Sequence, residues 1–182
     1  MKVPEHVLDI FLQPGEFYFG DRDTRIRTLL GSCIAITMWH PRLHIGGMCH
    51  FMLPARAVKP SDILDGRYAD EAMQLFQKEI ISARTRAGEY QVKFFGGGNM
   101  FTVPPHNSQQ PHSSDVANRN VIAARHLLRH HGHDVVAEHV GMRGHRNVIF
   151  ELWSGDVWMR HVKGFTQAES IGHAKNQCID SR

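Results

Sequence analysis

The stretch Thr28-Leu-Leu-Gly-Ser-Cys-Ile-Ala-Ile-Thr-Met-Trp-His-Pro-Arg-Leu-His-Ile-Gly-Gly-Met-Cys-His-Phe-Met-Leu-Pro54 decides how this chain is built. Ile34 to Trp39 and Ile45 to Leu53 are β-branched and apolar with no helical stagger, and His40-Pro41-Arg42-Leu43 between them has a turn residue in second place. The pattern is an antiparallel hairpin. A turn centred between Pro41 and Arg42 sets Trp39 opposite His44, Thr37 opposite Gly46 and Cys33 opposite His50. Directly opposed side chains have Cβ atoms about 4.5 to 5.5 Å apart, close enough for a thiol and an imidazole to share a proton. Cys49, although next to His50 in the chain, belongs to the other face of its strand. Register carries the argument, because a slip of one residue would send Cys33 and His50 to opposite faces.

A chain of 182 residues fits one domain with a real core, and 42% hydrophobic with 21% charged residues is the composition of an ordinary soluble protein. The net charge of +3 comes from Lys and Arg spread along the chain without a run of like charges, so no nucleic-acid partner is expected. Fourteen His would fit a metal protein, but their spacings are not those of zinc sites, and neither metal nor cofactor is expected. Three Cys, no signal segment and no apolar run long enough to span a bilayer point to a reduced, cytoplasmic protein with free thiols and no membrane insertion.

Working outward, residues 1 to 9 read as a loose or short helical start, and Ile10 to Gly20 as strand material broken at Pro14-Gly15. Arg25 to Leu30 alternates charged and apolar residues, a strand leading into Gly31-Ser32-Cys33, where Gly31 permits a turn that a side chain would obstruct. Pro54 to Asp65 is a loop beside the hairpin. From Ala69 to Ala87 the apolar positions Met73, Phe76, Ile80, Ala83 and Ala87 step by three and four, an amphipathic helix with Gly88 as its stop. Gln91 to Phe95 is a strand, and Gly96-Gly97-Gly98 after it, with no Lys-Ser/Thr following, reads as close backbone packing and not a phosphate loop. Thr102 to Ser114 has a loop composition. Val121, Ala124, Leu127 and Leu128 give a second helix ending near His131 before Gly132, and Val135 to Val140, Asn147 to Trp153 and Val157 to Val162 give three strands. Residues 164 to 182 lose periodicity and read as a flexible tail after a domain of residues 1 to 163. Hairpins with two helices imply an α+β domain, largely antiparallel, with both helices on one face of the sheet system.

Cys33 would otherwise be a small buried hydrophobe and His50 a hydrogen-bonded strand histidine; opposed to each other they form a nucleophile and its general base. Ser32 leaves the local backbone N–H groups clear, and these with that of Cys33 are candidates for an oxyanion hole. Cys49 and Cys178 read as a core thiol and a tail thiol.

Thr28-Leu-Leu-Gly-Ser-Cys33, Gly46-Gly-Met-Cys-His-Phe-Met-Leu-Pro54, Tyr68-Ala-Asp-Glu-Ala-Met73, Lys93-Phe-Phe-Gly-Gly-Gly-Asn-Met-Phe101 and Arg119-Asn120, in this order, resemble the CheD family of bacterial chemoreceptor glutamine deamidases. The resemblance covers about residues 10 to 163. It implies a three-layer α-β-β fold and a catalytic triad in which Thr28 joins Cys33 and His50, with Gly97 and Gly98 bordering the pocket. It implies conversion of glutamines to glutamates on the cytoplasmic helical domain of chemoreceptors, with hydrolysis of glutamate methyl esters as an accessible side reaction. An alternative of another class also follows, a binding module that regulates a CheC-type phosphatase.

Overall fold

The computed structural model describes residues 2–57, 63–100 and 113–163, with side chains of the last segment from residue 116. Nine strands and two α-helices lie among them: β1 (Leu8–Phe11), β2 (Phe17–Gly20), β3 (Thr24–Leu30), β4 (Ile34–His40), β5 (Ile45–Phe51), α1 (Ala69–Ser82), β6 (Gln91–Gly96), α2 (Ser113–His130), β7 (Val135–Val140), β8 (His145–Glu151) and β9 (Asp156–Val162). A four-stranded sheet has the order β1-β3-β8-β9, and a five-stranded sheet the order β2-β5-β4-β6-β7.

The burial patterns explain the layering. In β3 Thr24, Ile26, Thr28 and Leu30 are buried while Arg27 and Leu29 are exposed, as expected of a sheet covered on one side. β4 is buried along almost its whole length, which requires cover on both faces. One face of β4, with Ile34, Ile36 and Met38, packs with Cys49 and Phe51 against Met73, Phe76 and Ile80 of α1 and Val121, Ala124 and Leu128 of α2. On the opposite face Ala35 and Met48 meet Ile26, Leu30, Val148 and Phe150 of the four-stranded sheet. The result is the α-β-β sandwich of a single α+β domain, with both helices on one side of the five-stranded sheet.

Pairing is mostly antiparallel, but β1 runs parallel to β3, and β6 runs parallel to β7 after the crossover through α2. Several boundaries differ from the sequence reading. Among the described residues of the chain start there is no helix; Leu8–Phe11 is a strand, made so by its pairing with β3. Helix α1 stops at Ser82 and not at Ala87. Arg84 takes the left-handed conformation (φ 56°) where glycine was expected, and the amides of Arg84 and Thr85 donate to the carbonyls of Ile81 and Ile80, a Schellman stop. Gly88 sits instead in a short 3₁₀ turn, Ala87–Glu89. The expected loop over Thr102 to Ser114 overlaps α2 at Ser113, its earlier residues lying outside the described ones, as does the expected tail at 164–182.

The hairpin has a different register from the one expected. Ala35, not Cys33, opposes His50, and the ladder closes with Ile34 opposite Phe51. The loop is longer because the His40 imidazole accepts from the amides of Arg42 and Leu43, each at 3.3 Å, and His44 turns back at φ 53° with its amide on the His40 carbonyl. A displacement by two residues preserves the facing of every side chain, so Cys33 stays on the His50 side and Cys49 on the other.

Candidate active site

His50 shares with Ala35 the face of β5 that looks into the space between the sheets. Its backbone amide and carbonyl are both engaged on the side away from β4: the Gly15 amide donates to the His50 carbonyl (2.7 Å) and the His50 amide to the Glu16 carbonyl (3.0 Å). Across the sandwich, the Thr28 hydroxyl of β3 lies 2.8 Å from His50 Nδ1 and 2.8 Å from the Leu12 carbonyl. These two contacts settle the tautomer. A carbonyl can only accept, so the single hydroxyl proton of Thr28 goes to Leu12, and Thr28 Oγ1 must accept from Nδ1–H. The lone pair of the neutral ring therefore sits on Nε2, which is buried and has no hydrogen-bond partner among the described residues.

Electrostatics keep the ring neutral. Burial pulls the His50 pKa down to about 4, against the smaller opposing effects of the Leu12 carbonyl and the Glu16 carboxylate. Cys33 sits in the bend before β4, half-buried, and packs with the cluster between the sheets that contains Ala35 and Met48. Burial raises its thiol pKa, while hydrogen bonds from the Ser32 side chain and its own amide pull the other way. Burial thus favours the neutral form of both the thiol and the imidazole. Cys49 is fully buried on the helix side, its pKa pushed up to about 12 by burial.

The glycine turn after β6 packs onto the cysteine turn as the sequence reading expected. Gly97 donates to the Cys33 carbonyl and Gly98 to the Gly31 carbonyl, each at 2.8 Å. A Cβ on Gly96 would lie 2.1 Å from the Cys33 carbonyl oxygen, a contact no side chain could relieve. Gly97 and Gly98 are walls of the site with their amides already engaged. Gly31 is not in the left-handed region; the space a Cβ would take there is filled by the Met100 side chain. Gly97 also lines a groove of about 500 Å³ with Asn99, Val121, Met142 and Arg143.

Two contributors had no role in the sequence reading. The Leu12 carbonyl, which orients the Thr28 hydroxyl, is a backbone atom that no residue type announces. Asn120 stood in a recognised motif without a function, and its side chain reaches the cysteine turn. No group of three or more His, Cys, Asp or Glu able to hold a metal ion occurs among the described residues, nor any helix long and apolar enough to cross a membrane.

The family model for CheD chemotactic sensory transduction matches residues 52–161, beginning just after β5. Relatives extend the match over the hairpin. A Pseudomonas savastanoi pv. phaseolicola protein named probable chemoreceptor glutamine deamidase CheD is 50% identical over 182 residues, the whole of both chains. A protein of the same name from Pseudomonas syringae pv. syringae is 51% identical over 177 residues, 97% of each chain, and a Dechloromonas aromatica relative is 48% identical over 161 residues, 88% of this chain and 92% of its own. With more than half of the sequence inside the family model and these identities running through the segment that holds Cys33, His50 and Thr28, the chain belongs to the CheD family.

Proposed function

We propose that this protein is a glutamine deamidase of chemoreceptors, acting in chemotaxis on glutamines of their cytoplasmic helical domain, with Cys33 as nucleophile, His50 as general base and acid, and Thr28 as the residue that orients the imidazole. The observation that carries the reading is the Leu12–Thr28–His50 hydrogen-bond chain, which leaves the Nε2 lone pair bare on the face that Cys33 shares.

The chemistry follows from that geometry. The Cys33 thiol gives its proton to Nε2 as sulfur bonds to the carboxamide carbon, and the carbonyl oxygen becomes an oxyanion, for which the amides of Ser32 and Cys33 are the nearest candidates as donors. His50 then protonates the departing nitrogen, ammonia leaves as the C–N bond breaks, and a thioester remains. Water enters, gives a proton to Nε2 and bonds to the carbonyl carbon; the C–S bond breaks, and the sulfur takes the proton back. The product is glutamate, a new negative charge on a receptor helix, where it alters the balance between neighbouring side chains. A glutamate methyl ester would enter the same cycle with methanol as leaving group.

Incubation of the protein with a purified receptor fragment tests the reading: each converted glutamine gains about one mass unit and releases one ammonia, and hydroxylamine traps the thioester as a hydroxamate. Absence of both changes on every glutamine would overturn it. Thr28→Val, which keeps the shape and removes the hydroxyl, leaves the Nδ1–H of His50 without its acceptor; kcat should fall about 10- to 100-fold and stability by about 1 to 3 kcal/mol, while Thr28→Ser should recover most of both.

A further inference from the structure

The hydrogen-bonded ladder between β4 and β5 ends at Ile34 opposite Phe51, so Cys33 lies outside it. Something else must fix the cysteine turn relative to the end of the histidine strand. Asn120, on α2, does so: its Nδ2 donates to the Ser32 carbonyl at 3.2 Å and to the Met52 carbonyl at 2.8 Å. One carbonyl precedes Cys33 directly, and the other belongs to the second residue after His50. The amide takes the place of the next rung of the ladder.

The orientation of this side chain is determined by its partners. Both are carbonyls, which only accept, so the NH₂ group must face them and Oδ1 must point away. Oδ1 is buried and has no partner among the described residues, and Asn120 as a whole is 0% exposed. Its neighbours on the same helix, Ala117, Val121, Ala124 and Leu128, are apolar. A buried amide with an unsatisfied oxygen carries a desolvation cost in such a core, which its two donated hydrogen bonds offset in part. An aliphatic residue could not pin two carbonyls. Gly97 and Gly98 hold the turn from the β6 side, but they leave its separation from β5 unset.

We propose that Asn120 is a positioning residue for the acyl transfer, holding the Cys33 turn and the His50 strand at the separation at which proton transfer between them occurs. The inference rests on the Cys33–His50 reading above. A residue that acts only by setting that separation matters only while both partners of the transfer are present.

The test is a double-mutant cycle on the rate of glutamine conversion in a receptor fragment, with near-UV circular dichroism to establish folding. Asn120→Asp, equal in shape but turning a carboxylate oxygen toward two carbonyls, and Asn120→Ala, which removes the donor, should each lower kcat at least about tenfold with KM within about twofold while folded. In a His50→Ala background, where no proton transfer is left to position, the same two changes should lower the residual rate by less than about twofold. Either variant folded with wild-type kcat overturns the inference, and so does an undiminished loss in the His50→Ala background or failure of both to fold, each of which would make the role purely structural. A His50→Ala protein with wild-type kcat would instead refute the Cys33–His50 pairing, so the two failures are distinguishable.

Discussion

Cys33→Ala should reduce glutamine conversion by about 10⁴-fold or more, because the thioester route is then closed and no other group takes its place. The other described thiol, Cys49, is next to His50 in sequence yet faces the helices, fully buried in a cluster with Ile36, Phe51 and Phe76. Its pKa, pushed up to about 12, keeps it protonated at any pH at which the enzyme would be assayed. Cys49→Ala should therefore leave kcat close to wild type and show its effect in a lowered Tm, the reverse of Cys33→Ala, which removes a half-buried thiol at the edge of the core. The pair of variants separates nucleophile from packing. The measurement is the one-unit mass gain on a receptor fragment with ammonia release, and a Cys33→Ala protein that still converts glutamine at the wild-type rate would end the covalent mechanism.

How much of this site the sequence carried depends on whether each feature is local. The two strands of the hairpin and the amphipathic faces of α1 and α2 follow from period, and Gly132, in the left-handed region at φ 73°, ends α2 as its position implied. The facing of Cys33, His50 and Cys49 was equally legible, since it depends only on the parity of the register. The register itself was not. It is set by the His40 imidazole accepting two loop amides and by a non-glycine residue, His44, in the left-handed conformation, features that residue preferences argue against. Arg84 misled the end of α1 for the same reason. The Thr28–His50 bond joins strands of different sheets, so no periodicity within either strand points to it, and Thr28 entered through family resemblance alone. The parallel placement of β1 on β3 is likewise non-local.

The non-local contacts have a common consequence for the chemistry. Thr28 and Leu12 belong to the layer of the four-stranded sheet, His50 to the five-stranded sheet, and Asn120 to the helix layer. The imidazole is oriented from one side of its sheet and the cysteine turn is held from the other. A two-layer structure could supply one of these constraints but not both, which is a physical reason for building the site on the middle sheet.

His50→Ala should lower kcat by about 10²- to 10⁴-fold, the usual contribution of a general base and acid, but pH gives the sharper test. In the folded protein burial holds the His50 pKa near 4, whereas an exposed histidine titrates near 6.5. The unfolded chain therefore binds a proton at this residue first as pH falls. Stability contributed by neutral His50 is complete above about pH 6.5, declines as pH drops through that value, and stops declining below about pH 4, where the folded ring is protonated too. By about pH 4.5 the loss amounts to roughly 2 to 3 kcal/mol, which urea unfolding at about pH 7.5 and 4.5 would resolve. His50→Gln, which cannot titrate, should lack that share of the acid destabilisation while keeping the share due to Glu71 and Asp65, whose pKa values are lowered by hydrogen bonds from Arg56 and Arg67 respectively. Activity has a different dependence: the base must be neutral in the folded protein, so kcat/KM of the wild type should hold down to well below pH 6.5 and fall only as the buried ring is protonated. A kcat/KM profile that breaks near pH 6.5, together with equal acid sensitivity of wild type and His50→Gln, would mean that the imidazole is in water and free of Thr28. The tautomer argument, and with it the assignment of Nε2 as the proton acceptor, would then fail.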